Sequence, residues 1–266
     1  MDFLQKYGYT PDGEAIASKL QTLAANLATA ESPEVFKRCF SMMDLTTLHT
    51  NDTEASVRAL VEKANGVLSS FEGYPLPASV CVYPNFASVV KENRCSDELH
   101  VTTVAACFPS SQSYLDVKLL ECRMAVRNGA DEVDIVLALN YFMAGEYESA
   151  SREISEIRAA IDEEAAKEDR TVVLKVILET GLLVTEERIA NASFLAMEAG
   201  ADFIKTSTGK VEVNATPKAA FVMCESILAY YKATGRKVGF KAAGGISNAK
   251  DALSYYCIAS FVLGKE

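Results

Sequence analysis

The 266-residue sequence predicts an α/β fold of the TIM (β/α)8-barrel type, preceded by an N-terminal helical extension. Short apolar segments rich in β-branched residues alternate with longer segments of helical periodicity, which is typical of parallel strands covered by helices. The repeat is regular, and the phrase Gly-Ala-Asp recurs at 129–131 and 200–202, each time between a helix and a strand. Seven regular units without a linker favour one barrel over a doubly wound sheet.

The predicted extension comprises residues 1–38, and the predicted barrel comprises residues 39–266. In the extension, apolar residues follow helical spacing after about residue 12. Ser32 followed by Pro33 then forms an N-cap with proline at the first helical position, which predicts a second short helix. No residue of the extension suggests chemistry.

In the barrel, seven strands are predicted to alternate with helices. The predicted strands comprise residues 40–44, 78–83, 100–105, 132–137, 172–178, 203–205 and 238–241. The predicted helices begin at about residue 51, 114, 146, 185 and 216.

The net charge of −10 argues against nucleic acid or an anionic membrane as a partner. The sequence has no apolar run of about 18 residues, so we expect no membrane span. Seven scattered cysteines without a CxxC pair suit reduced thiols, so we expect a cytoplasmic protein. The sequence has only two histidines, His49 and His100, which are too few for a histidine-rich metal site. We expect neither metal nor cofactor.

Ionisable residues fall near the C-terminal ends of the predicted strands, where barrels carry their active sites. They are Asp134, Lys205 and Lys241, with Lys175 as a fourth. The alternation of strand residues allows all four side chains to point into the barrel. Because buried charges are costly unless they are paired, the structural alternative is an interior salt-bridge network.

Lys205 follows the apolar residues Phe203 and Ile204, and burial would favour its neutral amine. A neutral lysine can attack a carbonyl and form an imine. Lys241 is a nearby cation that we expect to lower the pKa of Lys205, and Asp134 is a candidate proton carrier. An imine is an electron sink, so the predicted reaction makes or breaks the bond next to a carbonyl.

Glycines follow both lysine strands and predict a phosphate site. Gly209 and Lys210 come after the Lys205 strand, and Gly244 and Gly245 come after the Lys241 strand. Backbone N–H groups in such loops can hold a phosphate, and the Lys210 ammonium can pair with it. In barrels the phosphate often lies at the loops after the last strands.

Taken together, these motifs resemble the deoxyribose-phosphate aldolase family over about residue 37 to the end. The segments that carry the resemblance are residues 43–48, 131–134, 174–181, 203–210 and 239–245. The resemblance implies a TIM barrel and a metal-independent enzyme that reversibly cleaves 2-deoxy-D-ribose 5-phosphate to glyceraldehyde 3-phosphate and acetaldehyde, in deoxynucleoside catabolism. The implied partners are these small molecules, with a homodimer or higher homo-oligomer as the assembly.

By position, the resemblance implies that Lys205 is the Schiff-base lysine, Lys241 the second catalytic lysine and Asp134 the proton-relay aspartate. The remaining implied site residues support the substrate pocket or bind phosphate. Supporting polar and pocket positions are Asp44, Thr46, Leu48, Cys81, Lys175 and Thr208, and the phosphate positions are Gly209, Lys210, Gly244 and Gly245.

The sequence departs from the family pattern mainly at its C-terminus. It stops at about the point where the family continues into strand eight and a last helix, so we expect a C-terminally incomplete barrel with two open edges. Ala242 also stands where many relatives carry proline.

Three other functions remain open from the sequence. The first is another imine-forming sugar-phosphate aldolase or a transaldolase. The second is a non-catalytic barrel that binds a phosphorylated ligand, although a pure binder has no need for Asp134, Lys205 and Lys241 together. A dinucleotide-binding fold is weaker still, because no G-x-G-x-x-G follows the first strand.

Overall fold

The computed structural model describes residues 2–264, in which seven parallel strands form one sheet. The strands lie in chain order, so each pairs with the one that follows it. They are β1 (Asp44–Thr46), β2 (Ser79–Val82), β3 (His100–Val104), β4 (Glu132–Val136), β5 (Val173–Ile177), β6 (Phe203–Lys205) and β7 (Gly239–Lys241).

Helices connect the strands and cover the outer face of the sheet. In the described part of the chain they are α1 (Phe3–Tyr7), α2 (Gly13–Ala25), α3 (Pro33–Ser41), α4 (Glu54–Asn65), α5 (Val67–Ser70), α6 (Ala87–Asn93), α7 (Leu115–Arg127), α8 (Leu139–Met143), α9 (Tyr147–Ala166), α10 (Thr180–Leu183), α11 (Glu186–Glu198), α12 (Pro217–Thr234) and α13 (Ala249–Leu263). Among these residues, no helix combines the length and the apolar character needed to cross a membrane.

The sheet is strongly curled. Lys241 on β7 contacts Asp44 on β1, with Nζ 2.7 Å from Oδ1, and its Nζ also donates to the Met42 carbonyl at 3.0 Å. A flat sheet of seven strands would separate its edges by about 29 Å, far beyond the reach of a lysine. The two edges therefore approach each other as in a barrel.

The main hydrophobic core lies between the sheet and the surrounding helices. Ile135 of β4 is buried there with Ile154 and Ile157 of α9. Alternate residues of the same strand, such as Asp134, face the interior of the curl. One surface of each strand thus supplies the apolar core, and the other is available for polar side chains.

Helices α1 to α3 pack against the outer helices α11, α12 and α13. The Tyr7 ring stacks on Phe194 with centroids 4.5 Å apart, and its hydroxyl donates to Glu198 at 2.6 Å. The predicted boundary between residues 38 and 39 lies inside α3.

The predicted first strand over residues 40–44 is wrong for most of its length. The helix that Ser32 caps continues through Phe40 to Ser41, because Phe40 packs edge-on against Tyr74 instead of joining the sheet. Strand β1 begins only at Asp44. Helix α13 was not predicted from the sequence; Asn248 caps it by accepting from the Asp251 amide.

Candidate active site

Lys205 ends β6, and its side chain points into the curl of the sheet. The residue is 8% exposed. Its Nζ lies 2.5 Å from Oδ2 of Asp134, which is on β4, and β5 lies between the two strands. The contact therefore crosses the interior, as the alternation of strand residues predicted.

Lys175 lies between these strands and contacts three carboxylates. Its Nζ is 3.2 Å from Asp134 Oδ1, 3.4 Å from Asp44 Oδ2 and in close contact with Glu132 Oε2. The contact with Asp134 is an ion pair without hydrogen-bond alignment, since Oδ1 has no hydrogen-bond donor within the described residues. Lys175 thus joins the Asp134 side of the interior to the Asp44 side.

Asp44 forms the second anchor of the cluster. Its Oδ1 lies 2.7 Å from Lys241 Nζ and accepts a hydrogen bond from the Ser79 hydroxyl at 2.9 Å. Burial alone would raise the pKa of Asp44, but Lys175 and Lys241 outweigh it and hold the pKa well below its usual range. Asp44 is therefore ionised wherever the protein is folded at ordinary pH.

The cluster is balanced in charge, with three lysines facing three carboxylates. They are Lys175, Lys205 and Lys241 against Asp44, Glu132 and Asp134. Such balance limits the desolvation cost of burying charge, which is large for an unpaired ion. The predicted interior convergence of Asp134, Lys175, Lys205 and Lys241 is thus present, and a salt-bridge network is part of it.

The contacts of Lys205 oppose the expected neutral state of its amine. Burial lowers the pKa of Lys205, but the Asp134 carboxylate at 2.5 Å outweighs burial and raises the pKa above its ordinary value. The Lys241 ammonium is paired with Asp44. The cation that works against protonation of Lys205 is Lys175.

Three predicted pocket residues lie near this cluster. Cys81 on β2 is fully buried, and burial raises the pKa of its thiol to about 12, so it is a neutral thiol. Thr46 pairs with Cys81 in the register of β1 and β2 and is exposed. The Leu48 carbonyl accepts from Lys210 Nζ at 2.7 Å, which ties the loop after β1 to the loop after β6.

Thr208 is held by a residue that the sequence analysis missed. Its amide and hydroxyl donate to the Glu179 carboxylate at 3.2 and 2.5 Å, and Glu179 is 2% exposed. Glu179 itself adopts a left-handed backbone with φ of 55°. The loop that begins after Lys205 is thereby fixed from the end of β5.

The glycine loops after β6 and β7 are connected through Thr206. Its hydroxyl donates to the Ala243 carbonyl at 3.0 Å and accepts from the Ala243 amide at 2.9 Å. Gly209, Gly244 and Gly245 all have φ near 80°, where glycine is favoured. A side chain at Gly244 would come within 2.6 Å of Asn214 Oδ1, so this loop is also closely packed.

The two halves of the predicted phosphate site have different surroundings. Gly244 and Gly245 line a cleft together with Glu212 and Asp251. The Lys210 ammonium instead donates to the Leu48 carbonyl, and Lys210 and Gly209 are exposed.

Four further polar residues in the interior or at its edge were not predicted from the sequence as site residues. They are Ser79, His100, Thr102 and Glu132, which lie on β2, β3 and β4. Each of them makes a hydrogen bond of 3.1 Å or less to Asp44 or to another residue of this group. The signal was the period of two, since Glu132 stands two residues before Asp134.

The fold is a curled parallel sheet with a lysine and a carboxylate in contact inside it, and the family match assigns it to the lyases of the aldolase type. A family model described as DeoC/LacD family aldolase matches residues 38–256, and the chain belongs to this family. A Homo sapiens relative named deoxyribose-phosphate aldolase is 38% identical over 241 residues, which cover 86% of this chain and 73% of the relative.

Solved structures show the same fold. The tetrameric deoxyribose phosphate aldolase from Aeropyrum pernix is 26% identical with a TM-score of 0.68, and the match covers 93% of this chain and 91% of that one. A structure described as "QR15, an Aldolase" is 29% identical with a TM-score of 0.68, covering 83% and 87%. The predicted α/β architecture and the predicted aldolase class are confirmed.

Proposed function

We propose that the protein reversibly cleaves 2-deoxy-D-ribose 5-phosphate to glyceraldehyde 3-phosphate and acetaldehyde through an imine on Lys205. The observation that carries the proposal is the 2.5 Å contact between Lys205 Nζ and Asp134 Oδ2 in the interior of an aldolase-family fold. The name of the Homo sapiens relative supports the choice of sugar phosphate. Such an enzyme would act in deoxynucleoside catabolism in the cytoplasm.

The imine forms while Asp134 carries one proton. The Lys205 ammonium gives a proton to Asp134, and the amine attacks the aldehyde carbon of the open-chain sugar. Asp134 then returns the proton to the hydroxyl of the carbinolamine, which leaves as water. The product is a protonated imine, and Asp134 is again a carboxylate. Asp134 raises the pKa of Lys205, and the Lys175 cation opposes this shift and so favours release of the proton.

Cleavage of the carbon–carbon bond uses the same carboxylate. Asp134 Oδ1, which has no hydrogen-bond donor within residues 2–264, accepts the proton of the β-hydroxyl. The bond between the α and β carbons breaks, its electron pair moves into the imine to give an enamine, and glyceraldehyde 3-phosphate leaves. The α carbon takes up the proton from Asp134, and hydrolysis of the imine releases acetaldehyde.

The other residues hold this pair or the substrate. We assign Lys241 the role of second catalytic lysine, which keeps Asp44 ionised and oriented toward Lys175. Leu48, Cys81 and Thr46 line the pocket, and Thr208 is fixed by Glu179 beside it. Gly209, Lys210, Gly244 and Gly245 bind the phosphate. To bind the phosphate, the Lys210 ammonium must break its hydrogen bond to the Leu48 carbonyl or donate to both acceptors.

Reductive trapping tests the proposal directly. The protein is incubated with acetaldehyde and borohydride, and the modified peptide is mapped by mass spectrometry. We expect an N-ethyl group on Lys205 that is absent in Lys205→Met. The matched control is Lys237→Met, which removes an exposed lysine and leaves the adduct unchanged. A folded wild-type protein that gives no adduct on Lys205 contradicts the imine mechanism.

The identity of the substrate is tested by the released aldehyde. With 2-deoxy-D-ribose 5-phosphate, we expect acetaldehyde in equal amount to glyceraldehyde 3-phosphate, measured by coupled dehydrogenase assays. Release of a different aldehyde from another sugar phosphate, with no cleavage of this one, would assign the chain to a different aldolase reaction.

We also propose that the protein is a homo-oligomer. One relative is tetrameric by its description. In this chain, helix α7 exposes a row of large apolar side chains at helical spacing, which a second copy could cover. They are Tyr114, just before the helix, with Val117, Leu120 and Met124. Light scattering after gel filtration measures the assembly, and Leu120→Glu is expected to reduce it to monomers.

A further inference from the structure

A line of ionisable groups leads from Lys205 to the opposite end of the sheet. His100 begins β3, whereas Lys205 ends β6, so the two residues lie at opposite ends of parallel strands. The His100 side chain is 46% exposed, and its Nδ1 lies 2.7 Å from Glu132 Oε1. The interior cluster therefore has one titratable group that solvent reaches from the end away from Lys205.

Glu132 connects this histidine to the cluster. Its Oε1 faces His100, and its Oε2 contacts Lys175 Nζ and lies 3.1 Å from the Thr102 hydroxyl. Lys175 in turn lies 3.2 Å from Asp134 Oδ1, and the other oxygen of Asp134 contacts Lys205. Each step in this line is a direct contact between ionisable groups.

We propose that Glu132 and His100 are positioning residues that set how strongly Lys175 acts on Asp134, and thereby how readily Lys205 loses its proton. The proposal rests on the proposed function, because it concerns activation of Lys205 as the nucleophile. Neither residue touches the substrate in this proposal. They act through Lys175.

The physical reason is competition for one ammonium. When His100 is protonated, the Glu132 carboxylate is shared between two cations, and more of the Lys175 charge acts on Asp134. Asp134 then holds the Lys205 proton less tightly, and the amine is freed more easily. When His100 is neutral, Glu132 draws on Lys175 alone, and Asp134 binds the Lys205 ammonium more strongly.

The surroundings of His100 raise the pKa of its imidazole above the ordinary value. The charged groups that face it are Glu132 and Asp131 of the β4 segment and Arg94 of the loop before β3. The hydrogen bond that His100 donates to the Glu132 carboxylate raises the pKa of His100, and burial and Arg94 oppose this shift without cancelling it. The side chain therefore keeps its proton to a higher pH than an isolated histidine does.

The experiment measures the rate of imine formation with acetaldehyde against pH, with the adduct on Lys205 trapped by cyanoborohydride. Glu132→Gln keeps the shape and removes the charge. We expect it to lower the apparent pKa of Lys205 and to make the reaction about tenfold faster at pH 8. His100→Gln should react about threefold more slowly than wild type at pH 6 and equally at pH 9.

Glu98→Gln is the matched control, because it removes an exposed carboxylate two residues before His100 and should leave the profile unchanged. A purely structural role for Glu132 would change the melting temperature without shifting the pH profile, and that result overturns the proposal. The proposal is also overturned if the rate of imine formation in His100→Gln, relative to wild type, is the same at pH 6 and at pH 9. If Glu132→Gln does not fold, the His100→Gln variant, whose position is partly exposed, still tests the proposal.

The two proposals fail in different ways. Absence of any adduct on Lys205 in the wild-type protein removes the imine mechanism itself. An adduct that forms normally, with a pH profile that neither variant shifts, leaves the mechanism standing and removes only the role of Glu132 and His100.

Discussion

Lys205 and Lys241 are direct partners in the register of β6 and β7, yet their ammonium groups are held by different carboxylates. Lys205 contacts Asp134 at 2.5 Å, and Lys241 contacts Asp44 at 2.7 Å. Adjacent positions on neighbouring strands would otherwise bring two like charges together, which is unfavourable. The separation gives each lysine its own counter-ion, and Lys175 links the two halves through contacts with both carboxylates.

Replacement of Asp134 separates imine formation from bond cleavage. In Asp134→Asn, Lys205 loses the carboxylate that raises its pKa, so the amine is more easily neutral and still forms an adduct at pH 7, with water in place of Asp134 as the proton carrier. Cleavage of the sugar phosphate should fall by about 10²- to 10⁴-fold, since the proton carrier is lost. The two rates are measured on the same preparation. Asp116→Asn on α7 is the control, and cleavage retained within about twofold of wild type would contradict the role of Asp134.

Removal of Lys241 should weaken the fold as well as the activity. Lys241→Met takes away the ion pair to Asp44 and the hydrogen bond to the Met42 carbonyl, which together join β7 to β1. We expect the free energy of unfolding to fall by about 1.5–3 kcal/mol, measured by urea denaturation. Lys237→Met serves as the control on an exposed site. Unchanged stability would show that the contact between the sheet edges is not formed in solution.

Acid should destabilise the protein through its interior carboxylates. Burial opposes ionisation of Glu132, but His100 and Lys175 outweigh it and lower its pKa from 4.5 to about 2. Because the folded-state pKa is depressed, this contribution is present above about pH 4.5 and is lost as the pH falls toward 2. It amounts to about 3 kcal/mol.

The measurement is the free energy of unfolding against pH between about 2 and 7. Glu132→Gln should flatten the acid slope, whereas the exposed Glu72→Gln should not. An equal slope in Glu132→Gln and wild type would mean that this carboxylate is not held by the cluster.

The glycine loop after β7 offers a matched pair of variants. Gly244 and Gly245 both have positive φ, so alanine at either position carries about 1 kcal/mol of backbone strain. Only at Gly244 would the added Cβ meet Asn214, at 2.6 Å. Gly244→Ala should therefore raise KM for the phosphorylated sugar more than Gly245→Ala does.

Unphosphorylated deoxyribose is the reference substrate for this pair. If the loop binds phosphate, cleavage of deoxyribose should change less in these variants than cleavage of the phosphorylated sugar. Equal loss with both substrates would place the loop outside the phosphate site.

The alternation of strand residues was sufficient to predict where the reactive side chains converge. Asp134, Lys175 and Lys205 lie inside the curl because each occupies an inward position of a parallel strand. The same alternation also places Glu132 inside the curl. The sequence does not indicate, however, which charged group a carboxylate near the start of a strand will contact. The segment around Phe40 was predicted incorrectly, since its apolar residues suit both a strand and the end of an amphipathic helix.

By itself, the sequence determined the class of the protein: parallel strands, an interior lysine and glycine loops follow from local patterns that the chain carries in order. The protonation of Lys205 was decided only by the tertiary structure. Burial and Asp134 act on its pKa in opposite directions, and the outcome depends on a 2.5 Å distance between residues 71 positions apart. The same is true of Lys241, whose partner is set by the curl of the sheet, because Asp44 lies on the first strand and Lys241 on the last.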